Sequence, residues 1–176
     1  HGAWAAENKV VPEKALINGV EKEAVITGTK YTFGNNGDTA VFGNGETDYG
    51  LAANSYVSPL DVNVLGKDIS ITGKFRAVYA TWQKRKDDKV TVNIGNENTE
   101  SIFLNQTGGP HKDGSSALTI LDKGTTANVT AKKIKIVSNG TYAVNSSGLD
   151  DTQDTNTVLT LKGDSIEVQN TATEGV

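Results

Sequence analysis

Short runs in which apolar residues alternate with Thr, Ser, Asn or Lys recur along most of this chain. Alternation with a period of two predicts β-strands that have one face in a core and the other in water. Two such runs around a glycine turn make one unit, found at 24–33, 62–71 and 159–168. Looser copies replace the turn with a polar loop and pair 90–92 with 101–104 and 118–120 with 134–136. The copies begin at residues 24, 62, 90, 118 and 159.

A third apolar run follows several of these pairs, at 40–42, 77–79 and 143–144. Repeats of roughly 20 to 50 residues are typical of proteins whose units must stack on their neighbours to bury an apolar face. The repeat therefore predicts an all-β fold, a parallel β-helix (β-solenoid) with three short strands in each rung and rungs about 4.8 Å apart. A β-sandwich also gives short strands at regular intervals and stays as the alternative.

Residues 1–23 do not match the repeat. Ala3, Trp4 and Ala5 have the small-x-small form of a signal-peptidase site, so we expect the first residues to be a residual signal-peptide tail or an appended tail. The rest of 1–23 is predicted to be an N-terminal cap, because an open solenoid end exposes strand edges and apolar core. Residues 24–176 are predicted to be solenoid repeats, as a fragment of a longer protein.

Charge and composition exclude several classes of function. The net charge of −4 disfavours binding to nucleic acid. No stretch approaches the roughly 20 apolar residues of a membrane-spanning helix, so we expect no membrane insertion by this segment. The absence of cysteine excludes disulfides, thiolate catalysis and cysteine-bound metal. We expect no cofactor.

Five regions depart from the strand pattern. Apolar residues in 75–82 have helical spacing, yet 77–79 also matches a third strand, and the strand is favoured. Residues 43–60, rich in Gly, Asn and Asp, are predicted to be a loop or a cap extension. Further loops are predicted at 83–89 and 150–157, and His111 falls in a glycine-rich loop that looks flexible and solvated.

Catalytic and metal-binding patterns are sparse. His1 and His111 are the only histidines, and they form no recognisable triad or metal spacing. Residues 150–156 are acidic but fail the helix-loop-helix calcium pattern, because Thr155 stands where glycine is expected. Asp68 and Asp164 occupy related turns without forming a row of acids. These observations favour a protein that is not an enzyme.

One surface candidate remains, formed by Trp82 together with Lys84, Arg85 and Lys86. An aromatic ring flanked by cations can stack on a sugar or pair with an anionic group. The alternative interpretation is a core tryptophan followed by a charged turn, which Asp87 and Asp88 balance locally.

Residues 66–73 and 134–144, the tail-like start and the absent cysteine resemble the passenger domain of a bacterial autotransporter or large surface adhesin. The resemblance covers about residues 6–176. It implies a right-handed parallel β-helix, exported through a signal peptide and displayed outside the cell on the bacterial surface. It also implies a non-enzymatic adhesin segment whose partner is a host glycan, a host surface protein or another copy on a neighbouring cell. A passive stalk and a polysaccharide lyase or hydrolase on the same fold are the alternatives.

Overall fold

The structure is a computed structural model that describes residues 8–55, 59–82, 89–122, 124–147 and 157–173, with Trp82 described by its backbone alone. Eighteen strands occupy these residues, and no helix occurs among them. The strands form three sheets, of five, seven and six strands, which we name A, B and C.

The strands of each sheet follow in the order in which they are hydrogen-bonded. Sheet A contains β1 (Lys9–Val11), β7 (Tyr49–Ser55), β10 (Arg76–Trp82), β13 (Ser116–Leu121) and β16 (Tyr142–Ser147). Sheet B contains β18 (Ser165–Asn170), β15 (Lys133–Ser138), β12 (Ser101–Gln106), β9 (Asp68–Gly73), β6 (Thr39–Phe42), β2 (Lys14–Ile17) and β3 (Val20–Glu23). Sheet C contains β17 (Val158–Lys162), β14 (Thr125–Thr130), β11 (Val90–Ile94), β8 (Leu60–Val64), β5 (Lys30–Phe33) and β4 (Val25–Thr27).

From β5 onward the chain visits sheets C, B and A in turn, and each strand pairs in parallel with the strand one rung away. This arrangement is a β-solenoid of about 4 turns, which confirms the predicted fold class. The rungs are aligned by equivalent residues of sheet C: Tyr31, Val62, Val92, Ala127 and Leu159. The steps between these residues are 31, 30, 35 and 32.

The core runs along the axis of the coil. In the inner strands of sheets B and C, as in β9 of sheet B and β8 and β11 of sheet C, buried residues alternate with partly exposed ones, so every second side chain points inward. The inward residues stack on their equivalents in neighbouring rungs, as Ile69 does on Ile102 and Ile102 on Ile134. Phe33 and Phe42 meet edge to face, with ring centroids 4.9 Å apart, at the N-terminal end of this core.

Antiparallel strands cover the N-terminal end of the coil. β1 pairs antiparallel with β7, β2 with β6, and β4 with β5, so each sheet changes from parallel to antiparallel pairing at this end. β3 then pairs antiparallel with β2 and forms the edge of sheet B. These strands use the edge hydrogen bonds of the first rung, as a cap must.

The proposed equivalence of 24–33 with 62–71 is wrong. Residues 24–33 form the antiparallel hairpin β4–β5, whereas 62–71 cross a corner from sheet C to sheet B. Glycine serves different purposes in the two turns. Gly28 has a φ of +61° with open space around its Cα, while a Cβ on Gly66 would lie 2.9 Å from the Asp38 carbonyl oxygen. The copy assigned to 118–120 is also misplaced, since it belongs to β13 of sheet A.

Residues 43–60 are not all loop, because Tyr49–Ser55 form β7. The strand predicted within 75–82 is confirmed as β10. Of the other predicted loops, 83–88 and 150–156 lie outside the described residues.

Sheet A differs from the other two sheets because its three central strands, β7, β10 and β13, are buried on both faces. Five of the six residues of β13 are buried, with Leu118 and Ile120 pointing inward and Thr119 buried on the opposite face. Ala52 of β7 and Tyr79 of β10 are register partners on that same outer face, and both are buried. The expectation of one face in water is therefore wrong for these three strands.

Candidate functional site

Of the residues proposed from sequence as a binding patch, the structure describes only the backbone of Trp82. Trp82 is the last residue of β10, and its side chain lies outside the described part of the chain. Lys84, Arg85 and Lys86 also lie outside it. This patch stays a prediction.

A groove does occur where the chain passes from sheet B to sheet A. The connections of three successive rungs, 43–48, 74–75 and 107–115, meet along this corner. Backbone hydrogen bonds continue the parallel ladder through them, since Phe75 N donates to Asp48 O at 2.9 Å and Gly108 N donates to Lys74 O at 2.9 Å. The connections therefore hold a fixed spacing from rung to rung.

We name this feature the corner groove and divide it into two halves. The aromatic half is a cavity of about 530 Å³ lined by Asp48, Tyr49, Lys74, Phe75, Gly108, Gly109, Pro110, His111 and Asp113. The cap half is a cavity of about 380 Å³ that lies toward the N-terminal strands. Asp48 and Tyr49 line both halves, so the two cavities adjoin at these residues.

Three aromatic rings, one from each of three successive rungs, form a row in the aromatic half. The Phe75 ring lies between the other two, 5.9 Å from the Tyr49 ring and 5.1 Å from the His111 ring by centroid. Both contacts are edge to face, which is a favoured geometry for aromatic pairs. The row offers apolar ring surface along the axis of the coil.

Arg76 supports this row from beneath. It is only 5% exposed, and its guanidinium carbon lies 4.4 Å from the ring centroids of both Phe75 and Tyr79. Its Nη2 donates to Asp113 O at 2.8 Å and its Nε to Gly114 O at 3.3 Å. A buried cation needs such partners. Arg76 thus joins the aromatic row to the loop that carries His111.

The His111 loop, treated from sequence as flexible, is hydrogen-bonded to its neighbours. Thr141 of the next rung accepts from His111 N at 3.0 Å through Oγ1, and the same hydroxyl donates to His111 O at 2.9 Å. Ser115 Oγ donates to Gly109 O at 3.0 Å. The His111 side chain is half exposed, and its Nδ1 accepts from Asp113 N at 3.0 Å. In the neutral ring the proton is then on Nε2, which can donate to a ligand.

The phenols beside Arg76 stay protonated at neutral pH. Burial raises the pKa of Tyr49, and it raises the pKa of Tyr79 to about 12 against the opposing effect of the Arg76 charge. Tyr79 stacks on Tyr49 with centroids 5.6 Å apart. Tyr49 therefore lines the groove as an uncharged hydrogen-bonding group.

The charged side chains of the aromatic half lie at its exposed margin. Asp48, Lys74 and Asp113 are all exposed. Carboxylates accept hydrogen bonds from hydroxyl groups, and a lysine ammonium donates them. Apolar rings with a few convergent polar groups are the usual composition of a small-ligand site.

Sequence reasoning missed this site for identifiable reasons. The sequence pattern predicts a loop around Tyr49 and a solvated loop at His111, and it uses Phe75 only as part of a helical spacing that competes with the strand at 77–79. Tyr49 is the register partner of Arg76, and Arg76 is in turn the register partner of Ser116 in the next rung of sheet A. If the rungs are aligned by the observed steps of 31, 30, 35 and 32 residues, the three connections fall at one corner. A correct alignment of the repeats could therefore have revealed the site from the sequence.

Neither a metal-binding cluster nor a membrane-spanning helix occurs within the described residues. No three side chains of His, Asp or Glu there are placed to hold a metal ion. No helix in that part of the chain has the length and apolar character needed to cross a membrane.

Comparisons of the chain with protein-family models, with curated proteins and with solved structures found no match.

Proposed function

We propose that this chain is a non-enzymatic segment of a bacterial cell-surface adhesin, exported from the cell, that attaches cells by binding glycans in the corner groove. The observation that carries the proposal is the row formed by Tyr49, Phe75 and His111. Sugar rings have an apolar face that packs on aromatic rings and hydroxyl groups that pair with exposed Asp48 and Asp113.

The architecture supports the same function. A solenoid presents an extended surface, and its rungs hold side chains at a fixed spacing. An open surface groove gives a single site modest affinity, because it removes less of the ligand from water than a closed pocket does. Display of many copies on one cell converts modest affinity into firm attachment through multivalency.

Binding of soluble glycans to the purified chain tests the proposal, first on a glycan array and then by titration calorimetry. Tyr49→Ala and Phe75→Ala should each weaken binding by about tenfold or more, as expected for loss of an aromatic anchor. Tyr31→Ala is the matched control, because Tyr31 is also half-buried but lies on sheet C. All variants are compared only where circular dichroism and melting show an intact fold.

Several results would contradict this function. Binding that Tyr49→Ala and Phe75→Ala leave unchanged would place the ligand elsewhere. If no glycan on the array binds, capture of a host protein would favour protein binding. Clustering of beads coated with the chain would then favour self-association. No binding in any of these assays would favour a passive stalk.

A second candidate, polysaccharide cleavage, is favoured by the presence of two carboxylates, Asp48 and Asp113, in one cavity. Pairs of carboxylates flank the scissile bond in most glycoside hydrolases. Here both are exposed at the margin, whereas the acid of such a pair commonly relies on an apolar pocket. Release of reducing ends from polysaccharides, abolished in Asp48→Asn and Asp113→Asn, would favour cleavage over binding.

A further inference from the structure

The corner groove continues past the aromatic row into its cap half. The cap half is bounded by β2, which pairs with β6 of the first rung, and the aromatic half reaches the connection of the third rung. With rungs about 4.8 Å apart, the groove crosses about three spacings, or roughly 14 Å. This length accommodates a short oligosaccharide rather than a single sugar.

The cap half differs in chemistry from the aromatic half. Its walls include the aliphatic side chains of Val11, Leu16 and Val41 together with Pro12. Leu16 is 40% exposed although it is apolar, so the wall presents hydrocarbon to solvent. A small apolar group on a ligand would remove this surface from water.

Charges along the groove are mixed. Asp48, Asp113 and Glu21 supply three carboxylates, while Lys14 and Lys74 supply two ammonium groups. The slight excess of negative charge disfavours an anionic ligand. The groove is therefore suited to an uncharged glycan.

We propose that the ligand is a neutral, N-acetylated oligosaccharide whose acetamido methyl group packs against Leu16 and Val41 while a neighbouring ring lies on Phe75. This inference rests on the proposed glycan-binding function and names its ligand class. Tyr49 and Asp48 line both halves and are placed to contact the ligand where it passes between them.

Chitotriose and cellotriose provide the test, because they share the same β1,4-linked backbone and differ at each ring by an acetamido group in place of a hydroxyl. By titration calorimetry, chitotriose should bind the wild-type chain at least about fourfold more tightly, the factor expected from burying one methyl group. Leu16→Asn should reduce this preference to about twofold or less, because the acetamido methyl group then loses its aliphatic contact. Val25→Asn is the matched control, since Val25 is 69% exposed and lies outside the groove.

Saturation-transfer NMR on the wild-type chain gives a second measurement that needs no variant. The acetyl methyl protons of chitotriose should receive the strongest saturation if they lie against the aliphatic wall. Equal affinity for the two trisaccharides, or weak saturation of the methyl protons, would overturn the acetamido inference and leave glycan binding intact. Failure of both trisaccharides and of the whole glycan array would overturn the proposed function itself.

Discussion

Sheets A and C are built from strands of the same coil, yet they relate to water in different ways. In sheet C, β8 and β11 alternate between buried and partly exposed residues. In sheet A, β7 and β13 are buried on both faces. Both sheets are stacked in parallel with a continuous register. Parallel stacking therefore sets the position of each strand. Whether its outer face is buried or exposed to water determines which side chains can occupy that face.

The outer face of sheet A accommodates small and polar side chains under cover. Ala52 and Thr119 are buried there, and Thr81 Oγ1 donates to Asp122 Oδ2 at 3.1 Å. A parallel sheet covered on both faces loses the period-two pattern, because neither face is reserved for water. The same residue type should consequently have a different importance in the two sheets.

The largest expected effect comes from placing a charge on each outer face. Thr119→Lys in sheet A should destabilise the fold by about 3 kcal/mol or more, because it buries an ammonium group without a partner. Thr126→Lys in sheet C should change stability by less than about 0.5 kcal/mol, since its side chain reaches water. Urea denaturation of both variants measures the difference. Equal losses of stability in the two variants would mean that burial of the outer face of sheet A does not distinguish the two sheets.

This contrast also explains how far the sequence predicts the fold. The alternation in 62–71 and 159–168 was enough to predict a solenoid, because those strands belong to sheets B and C. The strand 49–55 was predicted as a loop, since Gly, Ala, Asn and Ser in a strand buried on both faces produce no alternation.

The candidate site was less predictable than the fold, for a related reason. Its rings come from three connections at one corner, and their proximity depends on the register of sheet A. The hairpin at 24–33 imitated a rung because alternation does not distinguish a parallel from an antiparallel neighbour. Tyr49 falls within the predicted loop 43–60, which was assigned to no rung, so the sequence pattern offers no reason to place it beside Phe75.

The buried cation of sheet A provides the next test. Arg76→Gln should cost about 2–3 kcal/mol, because it removes the contacts with two rings and weakens the bonds to Asp113 O and Gly114 O. Lys133→Gln, an exposed cation at the start of β15 in sheet B, should cost less than about 0.5 kcal/mol. Thermal and urea unfolding check both variants. A loss for Arg76→Gln no larger than for Lys133→Gln would contradict the supporting role of Arg76.

Alkaline pH should weaken sheet A through Tyr79. Its pKa is raised to about 12 in the folded chain, whereas an unfolded tyrosine has a pKa of 10.0. The contribution of protonated Tyr79 to the free energy of unfolding is therefore fully present below pH 10. It is lost as the pH rises through 12, which lowers the free energy of unfolding by about 2–3 kcal/mol. Tyr49, whose pKa is also raised by burial, contributes with the same sign.

Urea denaturation between pH 8 and pH 12 measures this loss. Tyr79→Phe should flatten the decline, because the variant has no phenol to ionise at that position. Tyr31→Phe, on sheet C, should retain the wild-type decline. An unchanged decline in Tyr79→Phe would assign the alkaline loss to other groups.

The smallest expected effects concern hydrogen bonds on the two outer faces. In sheet C, Asn93 Nδ2 donates to Asn63 Oδ1 at 3.0 Å, and Asn128 Nδ2 donates to Asn93 Oδ1 at 2.9 Å. These side chains are partly exposed, so water replaces the lost partner when Asn93 is removed. Asn93→Ala should therefore cost only about 1 kcal/mol although it breaks two hydrogen bonds.

Thr81→Val in sheet A is the counterpart, because it keeps the side-chain shape and removes the hydroxyl that donates to buried Asp122. We expect a cost of about 2 kcal/mol, since water has little access to the carboxylate that loses this donor. Urea denaturation of both variants at pH 7 compares them directly. If Asn93→Ala proves the more costly change, the cost of losing a hydrogen bond on the outer faces depends on side-chain stacking along the coil rather than on access to water. The distinction between sheets A and C would then be one of burial alone, without a difference in hydrogen-bond energy.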